Sequence, residues 1–165
     1  MRTATKISSV NAGQVLRAEG LLTPEQLDEV QREAATTGER IADVILARGL
    51  ATEYDLAKAM VHQLSLPYIS ARNYDPPKDV RAIVPPQTLH QHRLLPLDVF
   101  GEVALFATFT DLDPQVVADL EAETGKRLAF VIAQKGELEA VLNERYPPED
   151  LGKQVASRLD QLFGQ

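Results

Sequence analysis

Two stretches of the chain decide its fold: Asn11–Ala34, NAGQVLRAEGLLTPEQLDEVQREA, and Arg40–Gln63, RIADVILARGLATEYDLAKAMVHQ. Laid over the first at an offset of 29 positions, the second matches Val15 with Val44, Ala18 with Ala47 and Gly20-Leu21 with Gly49-Leu50. Thr23 falls on Thr52, Leu27 on Leu56, and Leu16 is answered by Ile45. The apolar positions in both copies recur at helical spacing. Thr23 followed by Pro24 is a helix start, because a threonine oxygen caps free amides and proline fits the first turn. Gln26 completes a capping box, and Thr52 with Asp55 repeats the start signal in the second copy. Gly20, Gly38 and Gly49 stand where helices must stop. The pattern predicts four short helices, roughly 8–19, 24–36, 39–48 and 53–64, forming two hairpins of one plan. A pseudo-symmetric four-helix unit follows.

From Pro67 the pattern changes. Pro76-Pro77 and Pro85-Pro86 limit any helix to one or two turns. Leu94 to Phe100 and Val103 to Phe109 read as two strands joined at Gly101-Glu102. Asp113-Pro114 opens a helix that Gly125 ends, Arg127 to Ala133 is a third strand, and Gly136 to Tyr146 a last helix. The fold class is therefore α+β, with a duplicated helical subdomain over 8–66 and a small α/β subdomain with a three- or four-stranded sheet over 67–146. Beyond Pro147-Pro148, residues 147–165 read as a tail helix with Leu151, Val155, Leu159, Leu162 and Phe163 on one face. That face is either a cap on the core or a partner surface.

A chain of 165 residues, 44% apolar and 25% charged, can bury a core without covalent staples. It has no cysteine, which removes disulfides, thiol nucleophiles and thiolate zinc sites. The formal charge of -7 argues against binding a nucleic-acid polymer or an anionic lipid surface, both of which want a basic patch. No apolar run approaches the roughly 20 residues that span a bilayer, and no signal-peptide core stands at the start. The expectation is a cytoplasmic protein without membrane insertion.

Catalytic signatures are absent. Gly125-Lys126 is followed by Arg127 and Gly152-Lys153 by Gln154, so neither is a phosphate loop. No nucleophile elbow with its triad is present. His90 and His92 have no third ligand near them, and Asp113 in the acidic group Asp111, Asp113, Asp119 and Glu121 reads as a helix cap. These are the only residues on which a metal-dependent enzyme could rest. His62 either contacts a ligand or faces water. The chain reads as a non-enzyme without a cofactor or metal.

The duplicated element, the Pro67 junction and the stretch from Ile83-Val84-Pro85 to Leu95-Pro96-Leu97 resemble the N-terminal domain of type II secretion and type IV pilus assembly ATPases. The resemblance runs from about Val10 to Tyr146 and lacks the motor that follows in that family. It implies a bacterial regulatory or adaptor domain that docks on a protein component of a secretion, pilus or motility machine. Part of the family binds cyclic di-GMP through two tandem motifs that begin Arg-Leu-Gly and end in Gln. The second copy here keeps Arg40 and Gln63 but has Ala42 for the glycine. The first keeps Gly13 but has Asn11 and Ala34 at its polar ends. The resemblance thus implies weak cyclic di-GMP binding, with Arg40 and Gln63 as polar contacts and Gly13, Leu16, Ile45 and Leu56 as backbone approach and apolar walls. A dedicated receptor for this nucleotide is the alternative reading.

Overall fold

The computed structural model describes residues 2–147 and 159–163. The duplicated stretches form helices α2 (Ala12–Ala18) and α3 (Pro24–Thr37), then α4 (Ile41–Ala47) and α5 (Glu53–Leu64). Thr23 and Thr52 each build a full capping box, with Gln26 and Asp55 as the returning partners. Gly20 and Gly49, one per copy, have φ of 78° and 68°, a conformation glycine adopts without the Cβ penalty. Each hairpin turn is therefore built the same way.

Where one helix over 8–19 was expected, the chain makes two. A separate helix α1 (Thr3–Ser9) ends at Val10, whose φ of -140° and ψ of 162° are extended. The cause is local. The Asn11 side chain accepts from the Gln14 amide and Gln14 reaches back to the Asn11 amide, a capping box that starts a new helix. This leaves α1 outside the duplication, packed on the sheet instead.

The sheet comes from the second half. After a 3-10 turn at Ala71–Asn73 and the short helices α6 (Lys78–Arg81) and α7 (Pro86–His92) come β1 (Leu95–Phe100) and β2 (Val103–Thr108). Helix α8 (Pro114–Thr124), β3 (Arg127–Ile132) and α9 (Lys135–Arg145) complete it. The order is β1-β2-β3, antiparallel and then parallel, so the described residues form three strands. The register of β1 slips between Pro96 and Asp98, an irregularity at a residue that cannot donate to a ladder. Residues 159–163 are helical with Leu159, Leu162 and Phe163 exposed, while Leu151 and Val155 of the expected tail helix lie outside the described residues.

One continuous core joins the halves. Leu16, Ile45, Leu56 and Met60 of the hairpins belong to the same buried cluster as Phe106, Phe109 and Phe130 of the sheet. The outer edge of β3 is closed as well: its Leu128 amide donates to Glu121 Oε2 at 3.3 Å, Phe130 to Thr3 Oγ1 at 3.0 Å and Ile132 to Pro67 O at 2.8 Å. Arg2 holds Glu121 in place at 2.6 Å. Helix α1 is thus part of an edge cover that supplies side-chain acceptors where a fourth strand would have supplied carbonyls. Thr3→Val keeps the shape of the side chain but leaves the Phe130 amide unpaired. It is expected to cost about 1–2 kcal/mol in urea denaturation, the usual penalty for a partly buried orphan donor.

Candidate functional site

A cleft of about 630 Å³ opens where the turn between α1 and α2, the end of α3, the start of α4 and the loop before α8 converge. Asn11, Gln14, Gln31, Ala34, Glu39, Arg40, Asp111 and Asp113 are among its lining residues. Three positions singled out by the tandem motif meet here: Asn11 and Ala34, the two ends of the first copy, and Arg40, the start of the second. They are brought together because α3 returns its C-terminal end beside the N-terminal end of α2 and then leads directly into α4.

Arg40 is the N-cap residue of α4, in an extended conformation. Its guanidinium is already engaged: Nη1 donates to His92 O and Nη2 to Gln91 O, each at 3.3 Å, in the last turn of α7. Burial first, and then the nearby Arg93 cation, lower its pKa from the usual arginine value. Gln63 lies elsewhere. It is exposed, does not line the cleft, and donates from Nε2 to Glu19 Oε1 at 2.7 Å, beside a His62 Nδ1 contact to the same oxygen. The amide of Gln63 and then the ring of His62 hold the Glu19 carboxyl below the usual carboxylate range. So the structure places the two motif ends of the second copy in different surroundings.

The apolar positions of the motif are buried. Leu16, Ile45 and Leu56 are 0, 0 and 1% exposed and hold the hairpins together rather than facing the cleft. Gly13 is buried too, at a close crossing where an added Cβ would meet Leu27 Cδ1 at 2.5 Å. Truncating such leucines costs about 2–5 kcal/mol, so a variant there reports folding before it reports binding. Helical periodicity is the same for a core position and a ligand wall, and here it marks the core.

Asp111 is the site residue that sequence reasoning did not single out as a ligand contact. It reaches the cleft from the sheet half, and its Oδ1 accepts the Ala12 amide at 2.9 Å and the Thr110 hydroxyl at 2.9 Å. It therefore ties the first turn of α2 to the loop before α8. Burial pushes its carboxyl up despite these two bonds. Glu19 was missed as well, although the 29-residue offset points to it. Glu19 falls on Arg48 and His62 on Glu33, and the structure pairs them reciprocally. Arg48 meets Glu29 at 3.4 Å and Glu33 at 3.7 Å, as Glu19 meets His62 and Gln63. One contact in each direction falls on matching positions, Arg48–Glu33 and Glu19–His62, while Glu29 and Gln63 fall opposite Lys58 and Ala34.

The rival residues are occupied separately. Asp113 caps α8 by accepting the Gln115 amide at 2.7 Å, Asp119 accepts from Gln115 Nε2 at 2.8 Å, and Glu121 serves the β3 edge. His90 Nε2 contacts Tyr146 O, and burial followed by Arg40 lowers the His92 pKa. Among the described residues no group of three histidines or carboxylates is placed to hold a metal. Nor is any described helix long and apolar enough to cross a membrane.

The MshEN domain family matches residues 64–151, just over half of the chain and chiefly its sheet half. The chain belongs to this family, that of the N-terminal domains of type II secretion and type IV pilus ATPases. It is 26% identical over 137 residues to the type IV pilus assembly ATPase PilB of Myxococcus xanthus, covering 83% of this chain and 24% of that protein. It is 26% identical over 134 residues to bacteriophage adsorption protein B of Escherichia coli, covering 81% and 18%. The chain therefore spans a quarter or less of these curated relatives. Among solved structures it is similar to MshE determined with cyclic di-GMP, at TM-score 0.62 and 25% identity over 82% of this chain and 97% of the other. The N-terminal domain of XpsE shares the fold, at TM-score 0.64 and 20% identity over 88% and 98%.

The raised Asp111 carboxyl carries a pH signature. A carboxyl whose pKa is higher folded than unfolded favours the fold most when protonated, and that contribution is lost as pH rises through the folded pKa. Asp111→Asn keeps an oxygen for Ala12 and Thr110 and removes the buried charge. We expect it to be more stable than wild type at pH 7, with the gain shrinking as pH falls toward about 4, the ordinary aspartate range. Denaturation midpoints across that interval check it.

Proposed function

We propose that the chain is a non-catalytic regulatory and adaptor domain that docks on a protein component of a secretion, pilus or motility machine and is tuned by weak binding of cyclic di-GMP in the cleft. The observation that carries the reading is the cleft itself, which gathers Asn11, Ala34 and Arg40 from the tandem motif in a chain of the MshEN family. The structure of MshE with cyclic di-GMP supports the choice of nucleotide. The N-terminal position of this domain in pilus and secretion ATPases supports a cytoplasmic adaptor role.

The chemistry argues for weak binding. Arginine can stack on a guanine face and donate a fixed fork to phosphate, and the cleft has it once, at Arg40. Its counterpart Asn11 is uncharged and its side-chain oxygen is spent on the Gln14 amide. Ala34 offers no amide to a base edge. Glu39, Asp111 and Asp113 also line the cleft, and carboxylates there oppose a dianionic ligand. A missing charge-assisted bond is worth about 1.5–3 kcal/mol, a loss of roughly ten- to a hundredfold against a site with both arginines.

A dedicated cyclic di-GMP receptor is the second reading, favoured by the retained Arg40. Calorimetry separates the two. Wild type is expected to bind in the micromolar range or more weakly, Arg40→Ala not at all, and Asn11→Arg with Ala34→Gln more tightly than wild type. Nanomolar binding by wild type would favour the receptor. Affinity capture with this chain as bait should recover a machinery component. Recovery of none, with and without the nucleotide, would overturn the adaptor role.

A further inference from the structure

Two arginines tie the end of α7 to the start of α4, and they run in opposite directions. Arg40, ahead of α4, donates to the Gln91 and His92 carbonyls in the last turn of α7. Arg93, just after α7, donates back to both carboxylate oxygens of Asp43 in α4, at 2.8 and 2.5 Å. The second tie is bidentate and charge-assisted, the strong kind. The first uses long bonds to neutral carbonyls, the weak kind. Only the weak tie is made by a residue that also lines the cleft.

We infer that Arg40 is a latch shared between the cleft and α7: a phosphate group entering the cleft takes the guanidinium from the Gln91 and His92 carbonyls, so that occupancy is registered at the end of α7 in the sheet half. This rests on the reading of the cleft as a nucleotide site. The exchange is favourable because a phosphate oxygen is an anionic acceptor and a carbonyl is not. The cost is the loss of a cation at the C-terminal end of a helix, where it satisfies last-turn carbonyls. Arg93 keeps its hold on Asp43 throughout, so α7 loosens without detaching. The two-state element that allosteric coupling requires is then the Arg40 side chain, with each partner biasing its position.

The test is a titration of the isotopically labelled chain with cyclic di-GMP, followed by amide NMR. The cleft amides of Asn11, Ala34 and Arg40 and the α7-end amides of His92, Arg93 and Leu94 should shift with one common dissociation constant. Exchange of the Leu94 amide, which donates to Leu89 O at 3.0 Å, should quicken several-fold in the complex. Saturating shifts in the cleft with a silent α7 end overturn the latch and leave the nucleotide reading standing. No saturable shift anywhere overturns both. Arg40→Lys keeps the charge but cannot span two carbonyls. In this variant the α7-end amides should already be displaced without ligand and stay still when cyclic di-GMP fills the cleft. Continued movement of α7 in Arg40→Lys would place the coupling outside Arg40 and overturn the inference.

Discussion

The arrangement of the two halves depends on where one guanidinium sits. Arg93 follows α7 in the left-handed conformation, at φ 51°. From there its guanidinium lies over the Phe109 ring, 4.8 Å from the centroid, with Asp43 on one side and Glu139 at 3.2 Å on the other. Lys135 reaches the same two acids at 3.9 and 3.5 Å. Burial, the largest single influence, would raise the Asp43 carboxyl, yet the Arg93 hydrogen bonds together with the charges of Arg93, Lys135 and Arg40 leave it below its usual range. Asp43 in turn is the main cause of the raised Arg93 pKa. One cation thus fixes α4 from the hairpins, the exit of α7 and the start of α9. Phe109 leads directly into Thr110 and Asp111, so the same contact sets the loop that closes the cleft.

The parts of this fold that were legible in the sequence are those written in local chemistry. Thr23, Thr52 and Asp113 announced their helices because a cap works within three residues of itself. The strand pair and the α8 boundaries fell where Gly101, Asp113-Pro114 and Gly125 put them. The break at Val10 was equally local, with Asn11 and Gln14 at capping-box spacing, but it hid inside a continuous helical pattern. The site was less legible because its contacts are not local. Arg40 meets backbone carbonyls more than fifty positions away, Gln63 meets Glu19 across 44, and Asp111 meets Ala12 across 99. A carbonyl has no residue type, so no motif could have pointed to the end of α7. Leu16, Ile45 and Leu56 carry a helical signal that serves the core, where they are buried.

The replacement of Glu19 by Arg48 and of Glu29 by Lys58 between the hairpins has a consequence for assembly. Were two first hairpins to pair with each other, Glu19 would face Glu29 and Glu33 instead of the His62 and Gln63 it meets now. Were two second hairpins to pair, Arg48 would face Lys58 and His62, the residues that stand where Glu29 and Glu33 stand in the first. Exposed pairs of this kind stabilise a fold only slightly, about 0–1 kcal/mol each, but Glu19 against Glu29 and Glu33, or Arg48 against Lys58, sets like charges together and counts against a wrong partner. Divergence of the two copies has therefore made an internal duplication heterotypic. Each repeat accepts its sibling and discourages a duplicate of itself, so the two hairpins are complementary rather than interchangeable.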